Sequence, residues 1–101
     1  MDEATLFTLL TTLNLPVAYH HFTSPPSPPY IVYLFSYSSN FGADNKVYDA
    51  EKNFQVELYT KTKDLTSEAL IEGLFDAYEI YWEKTETYID SEGLYQVLYE
   101  I

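Results

Sequence analysis

The 101-residue chain has no cysteine and no arginine. Without cysteine it can form neither a disulfide nor a thiolate metal site, which fits a reducing compartment. Without arginine it lacks the planar, bidentate donor that dominates phosphate and base recognition. Five lysines stand against 16 acidic residues, so the formal net charge is −11 at pH 7. A chain so charged repels polyanions, which disfavours tight binding to nucleic acid and to anionic lipid surfaces. With only 3 glycines there is no glycine-rich phosphate loop. The longest apolar run, Tyr30 to Phe35, falls far short of the ~20 residues a membrane-spanning helix needs. The opening Met1-Asp2-Glu3 carries the wrong charge for a secretory signal. The expectation is a protein that stays where it is made unless an assembly carries it elsewhere.

What the chain does have is apolar and aromatic material: 47% hydrophobic residues, 18% aromatics and 11 tyrosines. That is enough for one modest core in a single domain spanning residues 1–101, and it argues against disorder. Asp2 can cap a first helix whose Leu6, Leu9, Leu10 and Leu13 recur at helical spacing. Asn14-Leu15-Pro16 should end it, because the residue before proline avoids helical geometry. Val17 to Phe22 reads as a short strand. Thr23 to Pro29 holds four of the five prolines and should form a stiff, extended loop outside the sheet interior.

Tyr30 to Tyr37 is apolar on both faces, as a strand covered on two sides would be. Ser38 to Lys46 is rich in turn formers, and Val47 to Asp49 suits a further short strand. In Asn53 to Thr60, Phe54, Val56 and Leu58 alternate with Gln55 and Glu57, the pattern of a half-buried strand. A second helix follows, capped by Asp64 or Thr66. Its expected apolar stripe is Leu70, Ile71, Leu74, Phe75 and Tyr78, with Glu72, Asp76 and Glu79 outside it. Tyr81 to Ile89 and Leu94 to Ile101 predict a hairpin joined by Asp90-Ser91-Glu92-Gly93, with glycine in the left-handed region. The fold expectation is therefore α+β: a mainly antiparallel sheet of five or six strands packed with two helices, in the order α-β-β-β-(β)-α-β-β.

No pattern points to catalysis, a cofactor or a metal. His20 and His21 are neighbours on an expected strand, which would set them on opposite faces and keep them from sharing one metal. Asp44, Asn45, Asp49 and Glu51 offer oxygens but not the spacing of a calcium loop. Carboxylates are so abundant that a close pair carries no information by itself. Tyrosine joins a large apolar body to a polar tip, which suits a surface that becomes half buried on association. The expected interaction residues are the strand tyrosines Tyr95 and Tyr99 for one patch. The second patch draws on Pro25, Pro26, Pro28 and Pro29, or on the loop bearing Asn40, Phe41 and Asp44.

Several stretches carry a resemblance. Leu15-Pro16-Val17-Ala18-Tyr19-His20-His21-Phe22, Pro28-Pro29-Tyr30-Ile31-Val32-Tyr33, Asn40-Phe41-Gly42-Ala43-Asp44, Val56-Glu57-Leu58-Tyr59-Thr60 and Glu83-Lys84-Thr85-Glu86-Thr87-Tyr88-Ile89 resemble small phage and prophage proteins of Gram-positive bacteria. These are proteins encoded among the head–tail joining and tail genes of long-tailed phages. The element order is also similar to tail terminator, or tail-completion, proteins. The resemblance implies a non-enzymatic virion subunit, made in the host cytoplasm and assembled into the tail or neck. Its implied partners are itself, in a ring that is hexameric in such proteins, and the tail-tube and head-connector proteins. The competing expectation from charge alone is an acidic DNA mimic that inhibits a host DNA-binding enzyme.

Overall fold

The computed structural model describes residues 1–36 and 53–101. The expected Ser38–Lys46 loop and Val47–Asp49 strand lie outside the described residues. Two helices and five strands follow in the order α1 (Glu3–Thr11), β1 (Val17–Tyr19), β2 (Tyr30–Ser36), β3 (Asn53–Thr60), α2 (Leu65–Ala77), β4 (Glu83–Ile89) and β5 (Leu94–Glu100). The strands form one sheet ordered β1-β2-β3-β5-β4. β1 runs parallel to β2, and every other pairing is antiparallel. The α+β expectation holds, with the element order as read from sequence.

Local chemistry sets the helix ends. The Asp2 carboxylate accepts the Thr5 N–H at 2.9 Å, satisfying one of the donors that a helix start leaves open. Asn14, at φ 65°, turns the chain out of α1 in the left-handed conformation that asparagine tolerates better than most residues. In α2 the Asp64 carboxylate caps Ser67 N–H at 3.0 Å. The far end closes on Glu79 at φ 57°. There Ile80 N–H donates to Phe75 C=O at 2.8 Å and Glu79 N–H to Asp76 C=O at 3.1 Å, the paired bonds of a Schellman motif.

Both helices pack on one side of the sheet. Leu6 and Leu10 of α1 and Ile71 and Phe75 of α2 meet Ile31 and Tyr33 of β2, Phe54, Val56 and Leu58 of β3, and Val97 and Tyr99 of β5. Those strand residues share a face because side chains alternate along each strand and the register aligns them: Tyr33 opposes Val56, and Val56 opposes Tyr99. Each such buried side chain contributes about 1.5–3 kcal/mol through the water it leaves. Tyr30 and Val32 point the other way yet are also buried. The ring of Phe22 stands edge-on to Tyr30 at 5.3 Å, and Pro25 lines the same depression, so the proline-rich segment folds over that end of the open face.

The hairpin forms at the expected turn. Glu92 N–H reaches Ile89 C=O at 3.1 Å, and Gly93 N–H reaches the same carbonyl at 2.9 Å. Gly93 has φ 66°, a conformation in which a side chain would be strained.

Three expectations need correction. β1 ends at Tyr19 rather than Phe22, because His20 enters the left-handed region at φ 71° and breaks the extended run. β4 begins at Glu83 rather than Tyr81. The buried stripe of α2 is rotated. Leu70 and Tyr78 are exposed, while Ser67 and Glu68 are buried and Glu72 turns partly inward. The reason lies in the strand beneath. The helix-facing residues of β4 include Lys84 and Glu86, so the side of α2 that turns toward them carries Glu68 and Glu72, and the stripe rotates accordingly.

Candidate functional site

The side of the sheet away from the helices carries a polar and aromatic surface. Its centre is a relay along β3 and β5. Gln96 Nε2 donates to the Tyr59 hydroxyl at 2.8 Å, and that hydroxyl donates to Glu57 Oε1 at 2.9 Å. Tyr59 also stacks on Tyr30, with ring centroids 5.2 Å apart and planes 26° from parallel. Burial is the first cause of the shifts here. It raises the Glu57 carboxyl above its ordinary value, against the lowering effects of the Tyr59 hydroxyl and His20. It also pushes the Tyr59 hydroxyl up to about 12, so that group stays protonated and donating. Beside the relay lies a shallow depression of about 200 Å³ between the proline-rich segment and the hairpin turn, with His20, Tyr30, Tyr59 and Glu92 on its walls.

The outer edge of the sheet is β4. Six of its seven residues are exposed, and among the described residues it pairs with β5 alone. Beneath α2 it joins an ion cluster. Lys84 Nζ lies 2.9 Å from Glu68 and 2.7 Å from Glu72. Lys63 Nζ lies 2.7 Å from Glu68 and also binds Glu86. The Tyr99 hydroxyl donates to Glu72 at 2.7 Å. Burial alone would raise the Glu68 carboxyl, but hydrogen bonds from Lys63 and Lys84 outweigh it and hold the group below its ordinary value. Both ammonium groups are raised in return, Lys63 chiefly by Glu68 and Lys84 chiefly by Glu72. The cluster sets three carboxylates against two ammonium groups, which makes it a folding device and leaves little positive potential for a phosphate.

The expected interaction residues separate. Pro25 is exposed, and Pro26, Pro28 and Pro29 are half buried along the covering segment. Tyr95 is half buried and packs on Tyr88 at 4.9 Å near the hairpin turn. Tyr99 is a correction. It is fully buried in the core, between the rings of Phe75 and Trp82. Alternation along β5 put Tyr95 and Tyr99 on one face, but that face is the one the helices cover. Asn40, Phe41 and Asp44 lie outside the described residues, as do Asn45, Asp49 and Glu51.

The two histidines also depart from expectation. Because β1 has already ended, the rings do not diverge to opposite faces. They meet edge to face at 5.6 Å. Among the described residues no group of three or more His, Asp or Glu side chains could hold a metal ion. No described helix is long and apolar enough to cross a membrane.

Sequence reasoning passed over Glu57, Glu68 and Lys84. A signal for the last two was present: Lys84 is flanked by Glu83 and Glu86, while the helix offers Glu68 and Glu72 one turn apart. That spacing places both carboxylates on one helix face, where a single ammonium can bridge them. No protein-family model, curated protein or solved structure matches the chain.

Proposed function

We propose that the chain is a structural, non-catalytic subunit of a long-tailed phage at the head–tail junction, a tail terminator or tail-completion protein that closes into a ring. The observation that carries this reading is the one-sided sheet. Helices cover one face, while the other leaves Tyr59, Leu34 and Leu98 half buried at the surface, with Tyr59 stacked on the buried Tyr30. Half-buried aromatics of this kind gain most when a neighbour completes their burial. A ring contact is heterologous and needs two different patches on one protomer. The open face around Tyr59, with the proline-rich segment folded over its end, supplies one of them.

The charge fits the same role. A tail passes DNA through its lumen, and a lumen without arginine that carries surplus carboxylate lets phosphates slide instead of gripping them. The DNA-mimic alternative draws less support. Glu68, Glu72 and Glu86 are bound to lysines and so do not extend a phosphate-like row.

The test is assembly. Native mass spectrometry and electron microscopy of concentrated protein should show closed rings. Virions lacking the gene should show unjoined heads or tails of irregular length. Monomers at every concentration, together with normal virions from the deletion, would overturn the reading.

A further inference from the structure

We infer that β4 is a self-pairing edge: two copies of the chain join antiparallel through Glu83–Ile89, in a register centred on Thr85. The inference stands on the strand itself and holds whether or not the chain belongs to a phage.

An exposed edge strand presents unpaired backbone N–H and C=O groups, which another strand can complete. Natural edges are blunted by proline, a bulge, great brevity or charged side chains. β4 lacks the first three, being a regular strand of seven residues paired without interruption to β5. Its charges Lys84 and Glu86 are of opposite sign, so a second copy can match them instead of being repelled. These two charges stand on either side of Thr85. With Thr85 facing Thr85 of a second copy, Lys84 lies opposite Glu86 and Glu83 opposite Thr87, while Trp82 and Tyr81, just ahead of the strand, come beside Tyr88 and Ile89. Each of these pairings occurs twice, once on either side of the axis. Opposite charges and aromatic pairs directly across from one another are the favourable cross-strand combinations, and no like charges meet.

The neighbouring registers are worse for a definite reason. Side chains alternate, so only a slip by an even number of residues keeps the helices of both copies on the same side of the extended sheet. A slip one way places Lys84 on Lys84, and a slip the other way places Glu86 on Glu86. The groups required are at the surface: the Lys84 and Glu86 side chains are 36% and 39% exposed. Tyr81 and Tyr88, which would gain aromatic or apolar partners, are 77% and 49% exposed.

The absence of cysteine makes a direct test possible. Directly opposed residues of an antiparallel pair have Cα atoms roughly 4.5–5.5 Å apart, inside the range a disulfide accepts. Thr85→Cys should therefore give a covalent dimer under mild oxidation. Thr87→Cys, whose two copies would stand roughly 13 Å apart along the strands, should convert at least about tenfold more slowly. Both threonines are exposed, so neither change threatens the fold. Sedimentation equilibrium of the unmodified chain should show a reversible dimer, and Glu86→Lys, which sets lysine against lysine, should weaken it about tenfold. A monomer at all concentrations would overturn the inference. So would equal cross-linking of the two cysteine variants, faster cross-linking at residue 87, or a dimer indifferent to Glu86→Lys. Because the cysteine readout reports only this edge, rings that form without the Thr85→Cys cross-link would sink this pairing and leave the ring reading standing.

Discussion

On the helix-covered side of the sheet, Glu68 is buried and holds two ammonium groups at 2.7 and 2.9 Å. On the open side, Glu57 is half buried and accepts one hydroxyl, at 2.9 Å. The two carboxylates have the same chemistry and opposite fates. Lysine partners overcome burial at Glu68 and favour its charged form, whereas at Glu57 burial wins and favours the neutral one. Desolvation is therefore not what distinguishes a structural carboxylate from an uncomfortable one. The number of cations within reach is, and this chain has few to give. Two of its lysines, Lys63 and Lys84, sit on the covered side, where α2 must lie against a charged edge strand.

Substitutions can break that contrast in graded steps. The largest effect belongs to the covered core. Tyr99→Ala should destabilise by about 4 kcal/mol in chemical denaturation, because it opens a cavity under α2 and strands the Glu72 contact. Next, Glu68→Ala should cost about 2 kcal/mol near neutral pH, a value discounted because both lysines are partly exposed. Its pH dependence is diagnostic. A carboxyl lowered by folding contributes fully above its ordinary value of 4.5, and that contribution is lost as pH falls through the lower folded value. The penalty of Glu68→Ala should therefore shrink in acid. A penalty that is flat across that window would show that Glu68 acts by packing alone.

Gly73→Ala is the reference for solvent-facing change. Nothing lies within 4 Å of an added methyl group, so it should stabilise by about 0.8 kcal/mol through helix propensity alone. The smallest effect sharpens the contrast most. Glu57→Gln should stabilise by about 0.5 kcal/mol near neutral pH, since it removes a charge that folding desolvates. The sign runs opposite to Glu68. A carboxyl raised by folding loses stability as pH rises from the ordinary value of 4.5 through the raised folded one. Well below 4.5, wild type and Glu57→Gln should melt alike. A destabilised Glu57→Gln at neutral pH would mean that the Tyr59 bond, not burial, governs this group.

Much of the architecture was legible residue by residue. The alternation in Asn53–Thr60 appears in β3 without error: Phe54, Val56, Leu58 and Thr60 are buried and their neighbours are not. Asp2, Asp64 and Gly93 each do what their local chemistry dictates, since caps and turns depend on a few adjacent residues. The misreading of α2 arose because an amphipathic pattern assumes an apolar partner. Leu70 and Tyr78 matched the helical period but found solvent, since the side of α2 that meets Lys84 carries Glu68 and Glu72 and Tyr78 already caps the helix end. Tyr99 matched the period of an outward strand face, but which face is outward depends on where both helices land.

By itself the sequence settled the order of the described elements, the Asp2 cap, the Gly93 turn and the absence of disulfide or arginine chemistry. Those properties reside in neighbouring residues and in composition. Only the tertiary structure decided that both helices take the same side, that Glu68 is clamped while Glu57 is not, and that β4 is left at the edge. Each of these depends on which strand lies beside which. The order β1-β2-β3-β5-β4 joins segments far apart along the chain, and no local pattern of side chains encodes such a neighbour.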